Sequence, residues 1–500
     1  MASLSFLASS FSPLLSLSDT KPLTLVKPFS CIVERRRARN LHYLIRPVNA
    51  VNAFNDSPDH PNAAAAIENL WLWLCDKGAV SSSSSAVKPA VVPERLGLVA
   101  QKNLSRNEVV LEVPKKLWIT PDTVAASEIG RVCEQLKPWV SIALFLLYER
   151  TRVDSPWRCY LDVLPRATNS TIFWSEEELS ELQGTQLSRT NLSARDYVLT
   201  EFLKAEEEVI LRHNHLFSSS ISYDDFLWAF GIIRSRTFSQ LRGEKLALIP
   251  LADLVNHSSS IITEDSSWQI KGTGIFSREL VFSLRTPVSV KAGEQVFIQY
   301  DLQKSNAELA LDYGFIESRS DRNTYTLTLE ISESDPFFGD KLDIAESNGL
   351  GQNAYFDIVL GSSLPPSLLP YLRLVALGGT DAFLLESIFR NSVWGHLELS
   401  VSRGNEELIC RVVRDACKSA LSSFHTTIEE DERLLEDGIL DPRLAIAVGV
   451  RVGEKKVLQQ IDKIFGEREK ELDELEYYQE RRLKQLGLVG EQGDIIFWES

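Results

Sequence analysis

The spacing of apolar residues in the N-terminal half predicts two groups of short strands with a long helical segment between them. Apolar residues at 96–100 and 108–114 flank a turn at 105–107, as in paired strands. From about residue 121 to 233, apolar positions recur every three or four residues, which favours helices. Strand patterns return at 247–250, 280–284 and 296–300. Because the strands are grouped rather than alternating with helices, the pattern predicts an α+β fold.

The C-terminal half is predicted to be mainly helical after a strand at 324–329. Its last apolar pattern, over about 451–485, predicts one long helix, although Gly466 and the polar residues 467–470 interrupt the apolar stripe. Such a helix would either pack on its own domain or pair with a second copy as a coiled coil. Packing within the domain is the favoured alternative, and a monomer is expected.

Residues 1–50 have the composition of a targeting peptide rather than of a folded domain. They are rich in Ser and Leu and carry seven Lys and Arg against two Asp and Glu. This composition is typical of an organelle transit peptide, and the opening Met1-Ala2-Ser3 favours the chloroplast. The predicted cleavage site lies between about Arg46 and Ala53. The alternative is a disordered tail on a cytosolic protein.

Charge and motifs exclude several classes of function. The net charge of −16 would repel a phosphate backbone, so nucleic-acid binding is not expected. The six cysteines form no Cys-x-x-Cys pair, which argues against a zinc site or a disulfide framework and predicts buried thiols. No apolar run reaches the roughly 20 residues of a membrane span. Dinucleotide-binding, phosphate-loop, zinc-protease and serine-hydrolase motifs do not occur in the sequence.

Three segments point to a different chemistry. They are Arg234-Ser235-Arg236, the stretch 253–258 (Asp-Leu-Val-Asn-His-Ser), and the stretch 293–300 (Gly-Glu-Gln-Val-Phe-Ile-Gln-Tyr), which is followed at 311–315 by Leu-Asp-Tyr-Gly-Phe. Each alone has an ordinary structural explanation as a turn or a helix end. In this order and spacing, however, they resemble the SET-domain lysine methyltransferases. Within these, the chain is similar to the chloroplast enzymes that methylate the Rubisco large subunit and fructose-bisphosphate aldolase.

The resemblance covers nearly all of the chain after the targeting segment. It implies a pseudoknotted SET β-domain that is split by a helical insertion and followed by a mainly helical C-terminal substrate-binding domain. The implied domains are a transit peptide over 1–50, a SET domain over 64–320 with its insertion at about 121–233, and a substrate-binding domain over 321–487. The implied methyl donor is S-adenosylmethionine, without a metal, and the implied location is the chloroplast stroma.

The implied reaction accounts for the tyrosines in these segments. Methyl transfer from a sulfonium requires the donor and the amine to be about 3 Å apart and in line. The lysine amine, with a pKa of about 10.4 in water, must also lose its proton before it can react. Desolvation in an aromatic channel lowers that pKa, whereas a neighbouring carboxylate would raise it. A tyrosine hydroxyl is suitable because it is uncharged at neutral pH.

The resemblance also assigns individual residues. Tyr300 is the implied catalytic residue beside the transferring methyl group, and Tyr313 forms a further wall of the lysine channel. Gln240 and Trp268 depart from the arginine and the tyrosine of close relatives. The implied donor-binding residues are Glu94, Arg95, Leu96, Arg236, Asn256 and His257, and the implied substrate-binding residues are Arg236, Gln240, Asp253, Trp268, Tyr300 and Tyr313.

The expected substrate follows from one departure from the family pattern. Members active on Rubisco share a His-Ala/Pro-Trp-like triad after the Asn-His-Ser turn, whereas this chain reads Ser266-Ser267-Trp268. Aldolase is therefore the expected substrate, with the Rubisco large subunit second. The alternative function is a non-catalytic SET-like scaffold that binds Rubisco or another stromal complex. A scaffold has no need for all of Arg236, Asn256, His257 and Tyr300, so their presence favours the enzyme.

Overall fold

The strands predicted at the two ends of the N-terminal half come together in the computed structural model. The structure describes residues 63–80, 85–93, 95–217, 221–238, 246–262, 268–272, 280–386, 389, 392–438 and 440–488. The predicted transit peptide lies outside the described residues. The strands are β1 (Val87–Val92), β2 (Arg95–Ala100), β3 (Val109–Pro114), β4 (Thr237–Phe238), β5 (Ala247–Leu248), β6 (Asn256–His257), β7 (Trp268–Gly272), β8 (Leu280–Arg285), β9 (Gln295–Ile298), β10 (Thr324–Glu330) and β11 (Asn353–Val359).

Helices fill the predicted insertion and most of the C-terminal half. The helices are α1 (Ala63–Asp76), α2 (Pro121–Ala125), α3 (Gly130–Cys133), α4 (Pro138–Thr151), α5 (Arg158–Leu161), α6 (Glu176–Ser180), α7 (Gln186–Ala205), α8 (Tyr223–Arg236), α9 (Asn306–Asp312), α10 (Phe338–Ser347), α11 (Leu368–Ala376), α12 (Val393–Leu397), α13 (Arg403–Ser422), α14 (Ile428–Glu436), α15 (Pro442–Lys470) and α16 (Tyr478–Gln485). The segment Glu206–Ile210 continues α7 as a π-helix.

Strands from both ends of the N-terminal half share sheets. One sheet has the order β1-β2-β9-β6 and another has the order β3-β8-β7. In the first, β6 runs parallel to β9, with Asn256 opposite Phe297 and His257 opposite Ile298. This pairing places the second and third motif segments side by side, as a SET pseudoknot requires. The predicted α+β fold with a helical insertion is confirmed.

Local sequence explains where several helices begin. A capping box begins α6, because the Ser175 hydroxyl accepts from the backbone of Glu178 while the Glu178 carboxylate accepts from the Ser175 N–H. Ser305 caps α9 in the same way. In contrast, α4 is buried on nearly every side, which explains why its apolar residues surround the helix instead of forming one stripe.

The C-terminal half has its own apolar core, which includes Leu327, Phe356, Ile409 and Ile461. Two predictions fail here. The strand β11, which pairs antiparallel with β10, was not predicted. The single helix predicted over 451–485 is wrong, because α15 begins at Pro442 and ends at Lys470, and α16 is a separate helix.

A tertiary contact explains the end of that helix. The N–H of Tyr478 donates to the carbonyl of Val401 across 3.1 Å. The ring of Tyr478 also packs against those of Phe383 and His396. These contacts attach the start of α16 to distant parts of the chain, so α16 is a separate helix.

The helical insertion and the C-terminal half are joined by polar contacts. The side-chain amide of Gln186 donates to Thr326 O at 2.8 Å and accepts from Thr326 N at 2.9 Å. The buried Glu454 carboxylate of α15 accepts from Gln186 N at 2.8 Å. Arg451 contacts both Glu181 and the buried Asp431. These contacts attach α15 firmly to the start of α7.

Two features of the described residues bear on function classes. No single described helix is long and apolar enough to cross a membrane, although the bent pair Leu368–Ala376 and Gly379–Leu385 meets that length and composition. The described Cys133, Cys410 and Cys417 are buried thiols, as predicted, whereas Cys75 and Cys159 are only half-buried.

Candidate active site

Tyr300 lies at the centre of the site, immediately beyond β9. Its hydroxyl donates to Val255 O across 3.0 Å, next to the Asn256–His257 pair. Desolvation raises the pKa of the Tyr300 phenol above its usual value, so the phenol stays protonated at neutral pH. Because the hydroxyl hydrogen is taken by Val255, the lone pairs of the phenol oxygen are left to accept from another group.

His257 is held as a neutral ring beside Tyr300. Its Nδ1 accepts from Tyr300 N across 3.3 Å, and the two ring centroids are 5.3 Å apart. Burial lowers the pKa of His257 to about 4, against the opposing effect of Glu317. Since Nδ1 is an acceptor, the proton of the neutral ring is on Nε2. Nε2 lies 3.1 Å from Glu317 Oε1, although the two are not aligned as a regular hydrogen bond.

Glu317 is itself fixed in a buried network. Arg322 contacts both carboxylate oxygens, at 3.1 Å from Nε and 2.9 Å from Nη2. The backbone of Glu317 is paired with the side chain of Asn306 at the start of α9. The position of His257 is therefore determined by α9 as well as by its own strand.

Arg236 and Asp253 form a second cluster near Tyr300. Arg236 Nη1 donates to Asp253 O at 3.0 Å and to Asp253 Oδ2 at 3.3 Å. The hydroxyl of Tyr160 donates to the same Oδ2 at 3.0 Å. Asp253 Oδ1 is buried and has no hydrogen-bond partner among the described residues. Burial raises the pKa of Asp253, an effect that Arg236 and Tyr160 oppose.

Leu251, just before this cluster, has an unusual backbone conformation. It is a buried leucine with φ 76° and ψ −47°. A non-glycine residue with positive φ is strained and persists only where surrounding contacts hold it. The next three residues form a 3-10 turn that contains Asp253, so the strained residue sets the direction from which the carboxylate enters the site.

Asn256 connects the site to β2. Its side-chain nitrogen donates to Leu96 O at 3.2 Å and to Gln295 Oε1 at 2.7 Å. A Cβ on Gly97 would lie 2.8 Å from both Asn256 Nδ2 and Gln295 Oε1, so a larger residue here would displace the ends of these two side chains. Arg95 has an exposed side chain, and its charge acts on both Tyr300 and His257.

The end of α9 supplies an aromatic wall. The Tyr313 ring lies 4.9 Å from that of Tyr300, and the Phe315 ring stacks on His257 at 4.7 Å. Gly314, between them, has φ 76°, and a Cβ there would lie 2.1 Å from the backbone of Asn169. Glycine is therefore required for Tyr313 and Phe315 to face the same site.

The remaining predicted site residues lie elsewhere or are not described. Glu94 and Gln240 fall outside the described residues, as do Ser266 and Ser267 of the triad stretch. Trp268 stacks on Phe282 at 5.8 Å and meets Phe238 edge-on at 6.0 Å. Among the described residues, the rings of Trp268 and Tyr300 are not in contact with each other.

Sequence reasoning missed two residues of the site. Tyr160 lies 93 positions before Asp253, on a four-residue helix without a recognisable motif. Glu317 follows the tyrosine segment closely, but nothing in its neighbourhood distinguishes it from an exposed glutamate at a strand or helix end. Only the fold brings their side chains to Asp253 and His257.

The residues present suit a ligand with a carboxylate, an amino group and a sulfonium. The exposed Arg95 guanidinium is a suitable partner for a carboxylate. The unpartnered Asp253 Oδ1 is an acceptor for an N–H group. The rings of Tyr300, Tyr313 and Phe315 offer faces that tolerate a cation. Among the described residues, no group of three or more His, Cys, Asp and Glu side chains has an arrangement that would hold a metal ion.

Comparisons with known proteins identify relatives of the whole chain. Residues 332–458 match the family model described as Rubisco LSMT substrate-binding. The chain is 66% identical to the fructose-bisphosphate aldolase-lysine N-methyltransferase, chloroplastic, of Arabidopsis thaliana, with 91% of this chain and 93% of the relative covered. It is 62% identical to the chloroplastic Rubisco large subunit N-methyltransferase of Nicotiana tabacum, with 94% and 97% covered.

A solved structure shares the fold. The SET domain of LSMT bound to lysine and AdoHcy matches with a TM-score of 0.82 at 64% identity, covering 87% of this chain and 98% of that one. These levels of identity and coverage far exceed what chance or a shared fold alone would give. The chain therefore belongs to the family of SET-domain protein-lysine N-methyltransferases that includes the chloroplast enzymes acting on aldolase and on the Rubisco large subunit.

Proposed function

We propose that this chain transfers methyl groups from S-adenosylmethionine to a lysine of chloroplast fructose-bisphosphate aldolase, with the Rubisco large subunit as a second substrate. The observation that carries the proposal is the position of the Tyr300 phenol, 3.0 Å from Val255 O and beside the Asn256–His257 pair. This position unites the three motif segments in one half-buried, aromatic site. The proposed location is the chloroplast stroma, which the chloroplastic names of the relatives support.

The donor supplies an electrophilic methyl group on a sulfonium. We assign its binding to Glu94, Arg95, Leu96, Arg236, Asn256 and His257. Arg95 is free to meet a carboxylate, whereas Arg236 is already engaged by Asp253. Arg236 therefore acts chiefly by orienting Asp253 and does not contact the donor carboxylate directly.

The lysine side of the site is assigned to Arg236, Gln240, Asp253, Trp268, Tyr300 and Tyr313. Tyr300 and Tyr313 surround the amine with uncharged rings, which favours its neutral, reactive form. The phenol oxygen of Tyr300, with its hydrogen directed to Val255, accepts from the amine and aligns its lone pair with the methyl group. The carboxylate of Asp253 is already balanced by Arg236, so it does not hold the amine in its protonated form.

Protein recognition is assigned to the C-terminal half. Its proposed bounds are 321–487, after a SET domain over 64–320. The match of residues 332–458 to a substrate-binding family supports this division. The polar contacts of Gln186 and Arg451 that join the two halves support a fixed orientation of bound protein relative to Tyr300.

The test is methylation of purified substrates. Recombinant chain without residues 1–50 is incubated with S-adenosylmethionine and with chloroplast aldolase or Rubisco separately, and intact mass is measured. We expect mass increases in methyl-sized steps, faster on aldolase than on Rubisco. No mass increase on either protein, together with no heat of specific S-adenosylmethionine binding in a calorimetric titration, would favour the scaffold alternative instead.

A further inference from the structure

The interaction between Tyr160 and Asp253 links the helical insertion directly to the substrate side of the site. Tyr160 is fully buried on α5, and its hydroxyl lies 3.0 Å from Asp253 Oδ2. The Asp253 side chain is also fully buried. A buried carboxylate is costly unless its oxygens are paired. Here Oδ2 takes hydrogen bonds from two donors, whereas Oδ1 takes none from the described residues.

This asymmetry determines which oxygen is available. Arg236 binds both Oδ2 and the backbone carbonyl of Asp253, which fixes the residue at two points. Tyr160 approaches Oδ2 from a different element and prevents rotation of the carboxylate about its last bond. Oδ1 therefore remains a buried acceptor that has no partner among the described residues, and the charge of Asp253 acts on the Tyr300 phenol, whose pKa it raises.

We propose that Tyr160 is a positioning residue for methyl transfer, which together with Arg236 holds Oδ2 of Asp253 so that Oδ1 accepts a hydrogen bond from an N–H group of the bound lysine. The inference rests on the proposed function, in which Asp253 contacts the substrate. Tyr160 itself does not touch the substrate, because its hydroxyl is directed to Asp253 and its side chain is buried.

The decisive variant is Tyr160→Phe, which removes one hydroxyl and keeps the ring. We expect the KM for the protein substrate to rise about tenfold, which corresponds to loss of one hydrogen bond to a charged group. We expect kcat and the affinity for S-adenosylmethionine to change less than about twofold. The matched control is Tyr148→Phe, since Tyr148 is also a buried tyrosine that donates to a carboxylate, Glu128 Oε2 at 2.5 Å, outside the site.

A pH profile separates positioning from a merely structural role. The charged and titratable groups that act on Asp253 are Tyr160, Arg236 and Tyr300. A hydrogen bond from Tyr160 stabilises the carboxylate and lowers the pKa of Asp253. Without this hydrogen bond the carboxylate protonates more readily. In a plot of substrate affinity against pH, the acid limb, where affinity is lost as the pH falls, therefore shifts to higher pH in Tyr160→Phe and not in Tyr148→Phe.

A second variant covers the case in which Tyr160→Phe does not fold. Tyr160→3-fluorotyrosine keeps the hydroxyl and makes it a stronger donor, so the acid limb is expected to shift to lower pH. If the tested Tyr160 variant, Phe or 3-fluorotyrosine, leaves KM and the acid limb at the values of the Tyr148→Phe control, the inference is overturned.

Failure of the proposed function is distinguishable from failure of this inference. If the wild-type chain methylates neither protein, free lysine is titrated into the AdoHcy-bound chain. Weaker lysine binding by about tenfold in Tyr160→Phe, but not in Tyr148→Phe, would still support the positioning role. Equal lysine binding in both variants, or no lysine binding to the wild type, would overturn it.

Discussion

The backbone N–H of Tyr300 donates a hydrogen bond to Nδ1 of His257 across 3.3 Å. This bond joins the residue that ends one motif to the residue that centres another, 43 positions earlier. It requires a neutral imidazole with its proton on Nε2, and the pKa of about 4 keeps the ring neutral at physiological pH. The charge of Glu317, 3.1 Å from Nε2, favours that tautomer, and the Tyr300 N–H is shared between His257 Nδ1 and Gln299 Oε1 at 3.1 Å.

Glu317→Gln tests this arrangement. The side-chain amide of this variant no longer attracts the Nε2 proton of His257 strongly. It also leaves Arg322 without its carboxylate partner. We expect kcat to fall about tenfold with little change in the KM for the protein substrate, because the phenol is displaced rather than removed. Steady-state kinetics on aldolase provides the measurement.

The matched control is Glu406→Gln. Glu406 is another buried glutamate, paired with Arg373 and Arg468 in the C-terminal half. Both variants are expected to lower the thermal unfolding temperature, since each removes the carboxylate that balances a buried arginine. Equal kcat in the two variants would show that Glu317 contributes only to stability.

Tyr300→Phe is expected to reduce kcat about a hundredfold or more, because the amine loses the oxygen that aligns it. The affinity for S-adenosylmethionine in calorimetry is expected to change less than about threefold, since no donor contact is assigned to the hydroxyl. Tyr371→Phe is the control, because Tyr371 is also buried and donates to two backbone carbonyls, Gly351 O and Gln352 O, far along the chain. A Tyr300→Phe variant as active as this control would refute the catalytic assignment.

Gly97→Ala is expected to weaken donor binding about fivefold, the effect of losing about 1 kcal/mol of hydrogen bonding. The new Cβ would displace the Asn256 amide, which then loses its contacts with Leu96 O and Gln295. Gly404→Ala, at the start of α13, is the control because a Cβ there meets no atom within 4 Å. Unchanged donor affinity in Gly97→Ala would mean that Asn256 has room to move.

Glu454 predicts a pH dependence of stability. Burial raises the pKa of Glu454 to about 8, although the N–H groups at the start of α7 act in the opposite direction. A group with a raised pKa in the folded state contributes stability below its unfolded pKa of about 4.5, and that contribution is lost as the pH rises through 8. We therefore expect the free energy of unfolding to decrease between these pH values.

Glu454→Gln should remove this decrease. Because a tenfold change in proton affinity corresponds to about 1.4 kcal/mol, the variant is expected to be more stable than the wild type above pH 8 by at least about that amount. Urea unfolding at several pH values measures the effect. Glu207→Gln, at an exposed position, is the control and should follow the wild-type profile. Parallel profiles for all three proteins would contradict the assignment.

The sequence alone determined the elements whose signal is local. Helix starts at Ser175 and Ser222 were predictable because a capping box depends only on residues three positions apart. The alternation in β11, with Ala354, Phe356 and Ile358 buried, is also a local signal, typical of a strand with one buried face. The resemblance carried by the motif order predicted Tyr300, Asn256 and His257 as one site, and Tyr300 does contact both Val255 and His257.

Only the tertiary structure decided what depends on distant contacts. The break between α15 and α16 arises from the packing of Tyr478 against Val401 and Phe383, which no local period encodes. The same is true of Tyr160, whose hydroxyl reaches Asp253 across 93 positions of the chain. Apolar periodicity specifies which face of a segment is buried, whereas the partner of a buried polar group is fixed by the three-dimensional path of the chain.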